Sequence, residues 1–112
     1  MAIPKAKPQS SSDQVKDTVP YLVELTQRVL IGEVWARPNL SKRDRSLITV
    51  AALVTLAREE QLKGHIWRAL DNGVTRDELA EIFTHLAFYA GWPNGVIAAK
   101  VAKTVYAERD EQ

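Results

Sequence analysis

The stretch Leu47-Ile48-Thr49-Val50-Ala51-Ala52-Leu53-Val54-Thr55-Leu56-Ala57 decides the fold. Every position in it is apolar or threonine, so as a helix it is greasy on all sides and must be surrounded. The uncharged run from Ser46 to Ala57 is too short to cross a bilayer, which needs about 20 apolar residues. No period-two alternation elsewhere is long enough to read as a strand. The chain therefore reads as all-α, with about five helices. Four other short helices can hardly cover this one completely, which predicts that a second copy of the chain helps.

Working outward, Ser41 opens this second helix, with Asp44 three places on as a capping-box-like partner. Upstream, a first helix is predicted from Asp17 to Leu30, with Leu22, Leu25 and Val29 on one stripe and Gly32 ending it. Pro38 keeps the connection that follows from being helical. Downstream, a third helix covers about Glu60 to Asn72, stopped by Gly73, and no breaker separates it from the second. Thr75 with Glu78 is a capping box for a fourth helix that ends at Gly91, and Pro93 suits the first turn of a fifth. The tail from Glu108 is expected to fray. Residues 1–16, with their lysines, prolines and a Ser10-Ser11-Ser12 run, read as a disordered lead-in to one helical domain over 17–112.

Composition narrows the chemistry. The 112 residues carry 15 basic and 14 acidic side chains, net +1, too even for the basic footprint of a nucleic-acid binder. No cysteine is present, which removes disulfides and thiol redox chemistry. Two histidines without clustered carboxylates leave no expected metal site. With neither a signal peptide nor a membrane span legible, the cytoplasm is the expected compartment.

His65 is the most informative residue, because it lies within the apolar stripe Leu62, Ile66, Ala69, Leu70 of the third helix. A titratable ring there is either a satisfied structural histidine or a general acid–base group lining a pocket. His85 and Tyr89, four apart on the fourth helix, suit a pocket wall or a subunit contact. Glu33, beside Val34 and Trp35, is a proton-donor candidate if desolvated and an ordinary loop carboxylate if not. Arg45, nearest the greasy helix, could clamp a substrate carboxylate, and a surface salt bridge accounts for it equally well. Trp35, Trp67 and Trp92 could wall a pocket, anchor an interface or fill the core.

Several longer runs carry a family resemblance. Gly32-Glu33-Val34-Trp35-Ala36-Arg37-Pro38, followed by Arg45 to Leu53, resembles the carboxymuconolactone decarboxylase family. So do Ala69-Leu70-Asp71-Asn72-Gly73-Val74-Thr75 and His85-Leu86-Ala87-Phe88-Tyr89-Ala90-Gly91-Trp92-Pro93. The resemblance implies the alkylhydroperoxidase-D-like helical fold, assembled as trimers or hexamers with pockets near subunit contacts. In the redox branch of that superfamily a histidine follows a Cys-x-x-Cys pair, and His65 matches it. The cysteine positions fall on Arg58 and Gln61, and the relay glutamate falls near Arg45 and Ser46, so peroxidase or disulfide-reductase activity is not expected.

The cysteine-free branch implies a cofactor-free decarboxylase of a small carboxylated lactone such as 4-carboxymuconolactone, in aromatic catabolism. Loss of carbon dioxide from that substrate leaves a carbanion conjugated to the lactone carbonyl. Catalysis needs a cationic hold on carboxylates, stabilisation of enolate charge and a proton donor. On this reading Arg45 supplies the first and His65 or His85 the others. Glu33 is a further acid–base candidate, while Trp35, Tyr89 and Trp92 contact substrate. The rival reading is a non-catalytic homo-oligomer that binds a small molecule through the same pocket.

Overall fold

The computed structural model describes residues 10–111, in which five α-helices and no strand are found. Most of the expected lead-in lies outside these residues. Its described part, from Ser10, carries a short 3-10 turn at Asp13–Val15.

Helix α1 (Pro20–Leu25) starts at its proline rather than at Asp17. The residue before a proline is pushed out of the α region, and Val19 accordingly sits at φ −133°, ψ 66°. From α1 the chain passes directly into a wider π-type segment, Thr26–Val34. The expected stop at Gly32 is thus corrected, since the coil continues through it. The wide turn is closed by the Trp35 N–H donating to the Leu30 carbonyl at 2.9 Å. A side chain at Gly32 would place its Cβ 3.2 Å from the Gln27 carbonyl oxygen, so glycine serves close packing here.

Helix α2 (Lys42–Thr55) is capped as expected, the Ser41 hydroxyl accepting from the Asp44 N–H at 3.0 Å. It ends in a Schellman motif whose left-handed residue is an alanine, Ala57 at φ 57°. There the Ala57 N–H donates to Val54 O and the Arg58 N–H to Leu53 O. Helix α3 (Glu59–Asp71) ends in the same motif, with Gly73 at φ 97° as its left-handed residue. Helix α4 (Arg76–Ala90) begins on the complete Thr75/Glu78 capping box. The outer oxygen of Glu78 pairs with Arg43, joining the starts of α2 and α4.

Gly91, at φ 109°, turns the chain into helix α5 (Trp92–Asp110). The expectation of fraying from Glu108 is also corrected, since α5 stays helical to Asp110. Three ion pairs hold that end: Lys63–Glu108 at 3.1 Å, Asp71–Arg109 at 2.9 Å and Arg76–Asp110 at 2.6 Å.

The core lies between α2, α3, α4 and α5, centred on Val50, Val54, Leu62, Ile66, Leu79 and Val105. Helices α4 and α5 approach closely at Gly95, where an added Cβ would stand 2.9 Å from the Phe83 carbonyl oxygen. The first helix contributes nothing to this core and packs mainly on itself and on the 3-10 turn. On α2, Ser46, Val50 and Val54 are buried, whereas Ile48 is 56% and Leu56 62% exposed. A single copy therefore leaves one side of the greasy helix bare. No helix among the described residues is long and apolar enough to cross a membrane.

Candidate functional site

Helix α3 presents Leu62, Ile66, Trp67 and Ala69 to the core and leaves His65 half-buried at the margin of that face. Among the described residues the imidazole has no hydrogen-bond partner. Burial, and secondarily the Arg68 guanidinium one turn further on, push its pKa below the ordinary value. Arg68 in turn lies over the half-buried Trp35, its guanidinium carbon 5.8 Å from the ring centroid. Trp35 is brought there by the connection between the wide segment and α2. The structure thus groups His65 and Trp35 around a cation that sequence reasoning passed over. A usable signal existed, because residues three apart on a helix are neighbours.

Arg45 fixes the same connection. One terminal nitrogen donates to the Arg37 carbonyl at 3.1 Å, while its Nε is buried without a partner among the described residues. Next to it, the buried Ser46 hydroxyl accepts from the Asn72 side chain at 3.0 Å, tying the start of α2 to the end of α3. Glu33 is exposed on the last turn of the wide segment, and its charge is felt by Arg28.

The other candidates stand elsewhere. His85 and Tyr89 are exposed on α4, their rings stacked with centroids 4.7 Å apart. His85 borders an open depression of about 470 Å³ between α2 and α4, walled by Leu47, Ile48, Ala51, Ile82 and Leu86 with Glu81 at the rim. Trp92 is exposed, edge-on to Phe88 at 5.7 Å, and lines a groove of about 340 Å³ between α4 and α5. His65 lines neither of these two hollows. Among the described residues no hydrogen bond, ion pair or ring contact joins it to His85, Tyr89 or Trp92. No group of three or more His, Asp or Glu side chains capable of holding a metal ion is found among the described residues.

Fold and site together define a class: a small helical protein without thiols, whose available polar chemistry is imidazole, guanidinium and carboxylate. The chain belongs to the carboxymuconolactone decarboxylase family, which it matches over residues 20–104. It is 44% identical over 77 residues to the 4-carboxymuconolactone decarboxylase of Acinetobacter baylyi, a match covering 69% of this chain and 58% of that protein. It is 36% identical over 72 residues to a nitrosuccinic acid decarboxylase of Metarhizium robertsii, covering 64% of this chain and 50% of that one. An uncharacterized 15.0 kDa protein of Paracoccus denitrificans is 32% identical over 83 residues, covering 72% and 62% respectively. The matches thus span between half and about three-fifths of these relatives' lengths.

Proposed function

We propose that the chain is a carboxy-lyase acting on a small carboxylate whose loss of carbon dioxide leaves an oxygen-stabilised carbanion. The observation that carries this is the half-buried His65, without a hydrogen-bond partner among the described residues, near the Arg68 guanidinium that lies over Trp35. The two relatives named as decarboxylases support the reaction type. Their substrate names also share one chemical feature. A lactone carbonyl conjugated to the reacting carbon, or a nitro group on it, can take up the electron pair that carbon dioxide leaves behind. A 4-carboxymuconolactone-like substrate of aromatic catabolism is the first one to assay.

In the proposed reaction the carbon–carboxylate bond breaks, carbon dioxide departs and its bonding electrons move onto the carbonyl or nitro oxygens. Cationic Arg68 stabilises that charge, with Trp35 keeping its guanidinium plane in place. His65 then delivers one proton to carbon. An imidazole of lowered pKa is a strong acid once protonated, which suits it to a weakly basic enolate. The substrate's own negative charge favours that protonated form when it binds. Arg45 holds the connection bearing Trp35 through its bond to the Arg37 carbonyl. Glu33, His85, Tyr89 and Trp92 join the site only if copies of the chain assemble as a homo-oligomer, which is part of the proposal.

The test is decarboxylation of 4-carboxymuconolactone and of nitrosuccinate by purified protein, followed as release of carbon dioxide. Replacing His65 by Gln is expected to lower kcat by about 10²-fold or more, the usual contribution of a positioned acid. A second reading, a non-catalytic small-molecule binder, is favoured by one observation, that His65 lines neither large hollow. Wild-type protein inert towards both acids but binding them would establish that reading instead.

A further inference from the structure

We infer that Gly64 determines substrate specificity at the His65 site, its missing side chain leaving a bare seat on which the substrate's ring lies. This rests on the carboxy-lyase reading and adds to it where the substrate sits and what limits its size.

The fold of one copy accounts for the other four of the chain's 5 glycines. Gly73 and Gly91 hold left-handed backbone, and Gly32 and Gly95 stand where a Cβ would press on a carbonyl oxygen. Gly64 has neither reason. It lies in the interior of α3 with ordinary right-handed helical backbone. Outside its two chain neighbours and the helix's own backbone, nothing comes within 4 Å of the Cβ that an alanine would carry there. A glycine inside a helix destabilises it relative to alanine, through the backbone freedom it loses on folding. Alanine would therefore serve this fold better. A bare backbone at such a place suits a close approach from outside the chain.

The neighbours of Gly64 say what approaches. Gln61, Gly64, His65 and Arg68 follow the i, i+3, i+4, i+7 spacing, so they share one face of α3. All four are half-buried. The open space at Gly64 is thus bordered by an amide, an imidazole and a guanidinium. In the proposed reaction these are a donor to a substrate oxygen, the ring that delivers the proton and the cation that takes up enolate charge. Neighbours on a helix face stand about 5–6 Å apart, which leaves room for one flat ring against the backbone and none for an added side chain. A lactone ring lying there has its carbons beside the imidazole and its oxygens toward Gln61 and Arg68. An acyclic acid can bend around a methyl group at Gly64, whereas a ring cannot.

The test compares full-length wild type, Gly64→Ala and Gly64→Leu on 4-carboxymuconolactone and on nitrosuccinate. Gly64→Ala is expected to raise the thermal midpoint by a few degrees, because alanine is the better helix former. Its kcat/KM for the lactone should fall about tenfold or more, chiefly through KM, the usual effect of one misplaced methyl group in a site. Nitrosuccinate should lose less, so the ratio between the two acids shifts, and Gly64→Leu should shift it further. Equal losses on both acids, or none, overturn the seat while the carboxy-lyase reading stands. A fall in the particle mass of Gly64→Ala by light scattering also overturns it, since the glycine then serves a contact between copies. Should only one acid react, a loss that deepens from Ala to Leu supports the seat, and one that does not deepen overturns it. If wild type turns over neither acid, the carboxy-lyase reading fails and binding decides the seat. His65 ring resonances that move when either acid is added to wild type, but not to Gly64→Leu, support it. Resonances that stay still in wild type, or move equally in both proteins, overturn it.

Discussion

At neutral pH the folded chain holds His65 largely uncharged, since burial and then Arg68 push its pKa below 6.5. Stability and chemistry then answer acid in opposite senses. The unfolded imidazole binds a proton near pH 6.5, whereas the folded one resists until lower pH. The contribution to stability is therefore complete above pH 6.5 and is lost as pH falls through the folded value. Urea midpoints are expected to drop between pH 7 and pH 5, and less steeply for His65→Asn. The proposed proton delivery runs the other way, with kcat/KM rising as pH falls through the same window. Arg68 links the two effects. In Arg68→Gln the His65 titration, read from its ring resonances by NMR, should move back up toward the ordinary value while KM rises. His65 was legible in the sequence because a titratable ring interrupts an apolar stripe. Arg68 was not, because it looks like one more surface cation until Trp35 is found beneath it.

At the scale of elements, the connection between α2 and α3 depends on an alanine in a glycine's conformation. Left-handed backbone costs a residue with a Cβ roughly 1 kcal/mol relative to glycine. Ala57→Gly is accordingly expected to stabilise the protein by about 0.5–1 kcal/mol, less the greater entropy of a glycine in the unfolded chain, measured as a higher thermal midpoint. Gly95→Ala has the opposite expectation, because the new methyl meets the Phe83 carbonyl and the Ala87 side chain. A loss of about 1–3 kcal/mol in urea unfolding is the usual size of such overpacking. These two sites also show why some boundaries could be read and others could not. Thr75 with Glu78, and Gly91 followed by Pro93, carry their caps in residue type, and the start of α4, its end and the opening of α5 follow from them. The break at Ala57 is carried by the hydrogen bonds to Val54 and Leu53, which no residue type announces. The wide segment through Gly32 is similar, since a π-type turn turns a terminating glycine into an interior one.

Over the whole molecule, the last turn of α5 is held by charges far away in sequence: Lys63, Asp71 and Arg76. Local composition predicts fraying there, and only the fold brings these partners to hand. Ion pairs at a solvent-facing helix end contribute little to global stability. Asp110→Asn should therefore leave global stability nearly unchanged while speeding amide exchange in the final turn. The three indoles sit in three different settings. Trp67 is buried in the core with Arg109 over its ring, Trp35 lies half-covered by Arg68, and Trp92 is 62% exposed. Each consequently emits from its own degree of hydration, so the protein carries a built-in optical record. Unfolding would redden the Trp67 emission most, because it starts from the driest setting. Covering the α4/α5 surface would turn the Trp92 contribution bluer and shield it from iodide, with no dye attached.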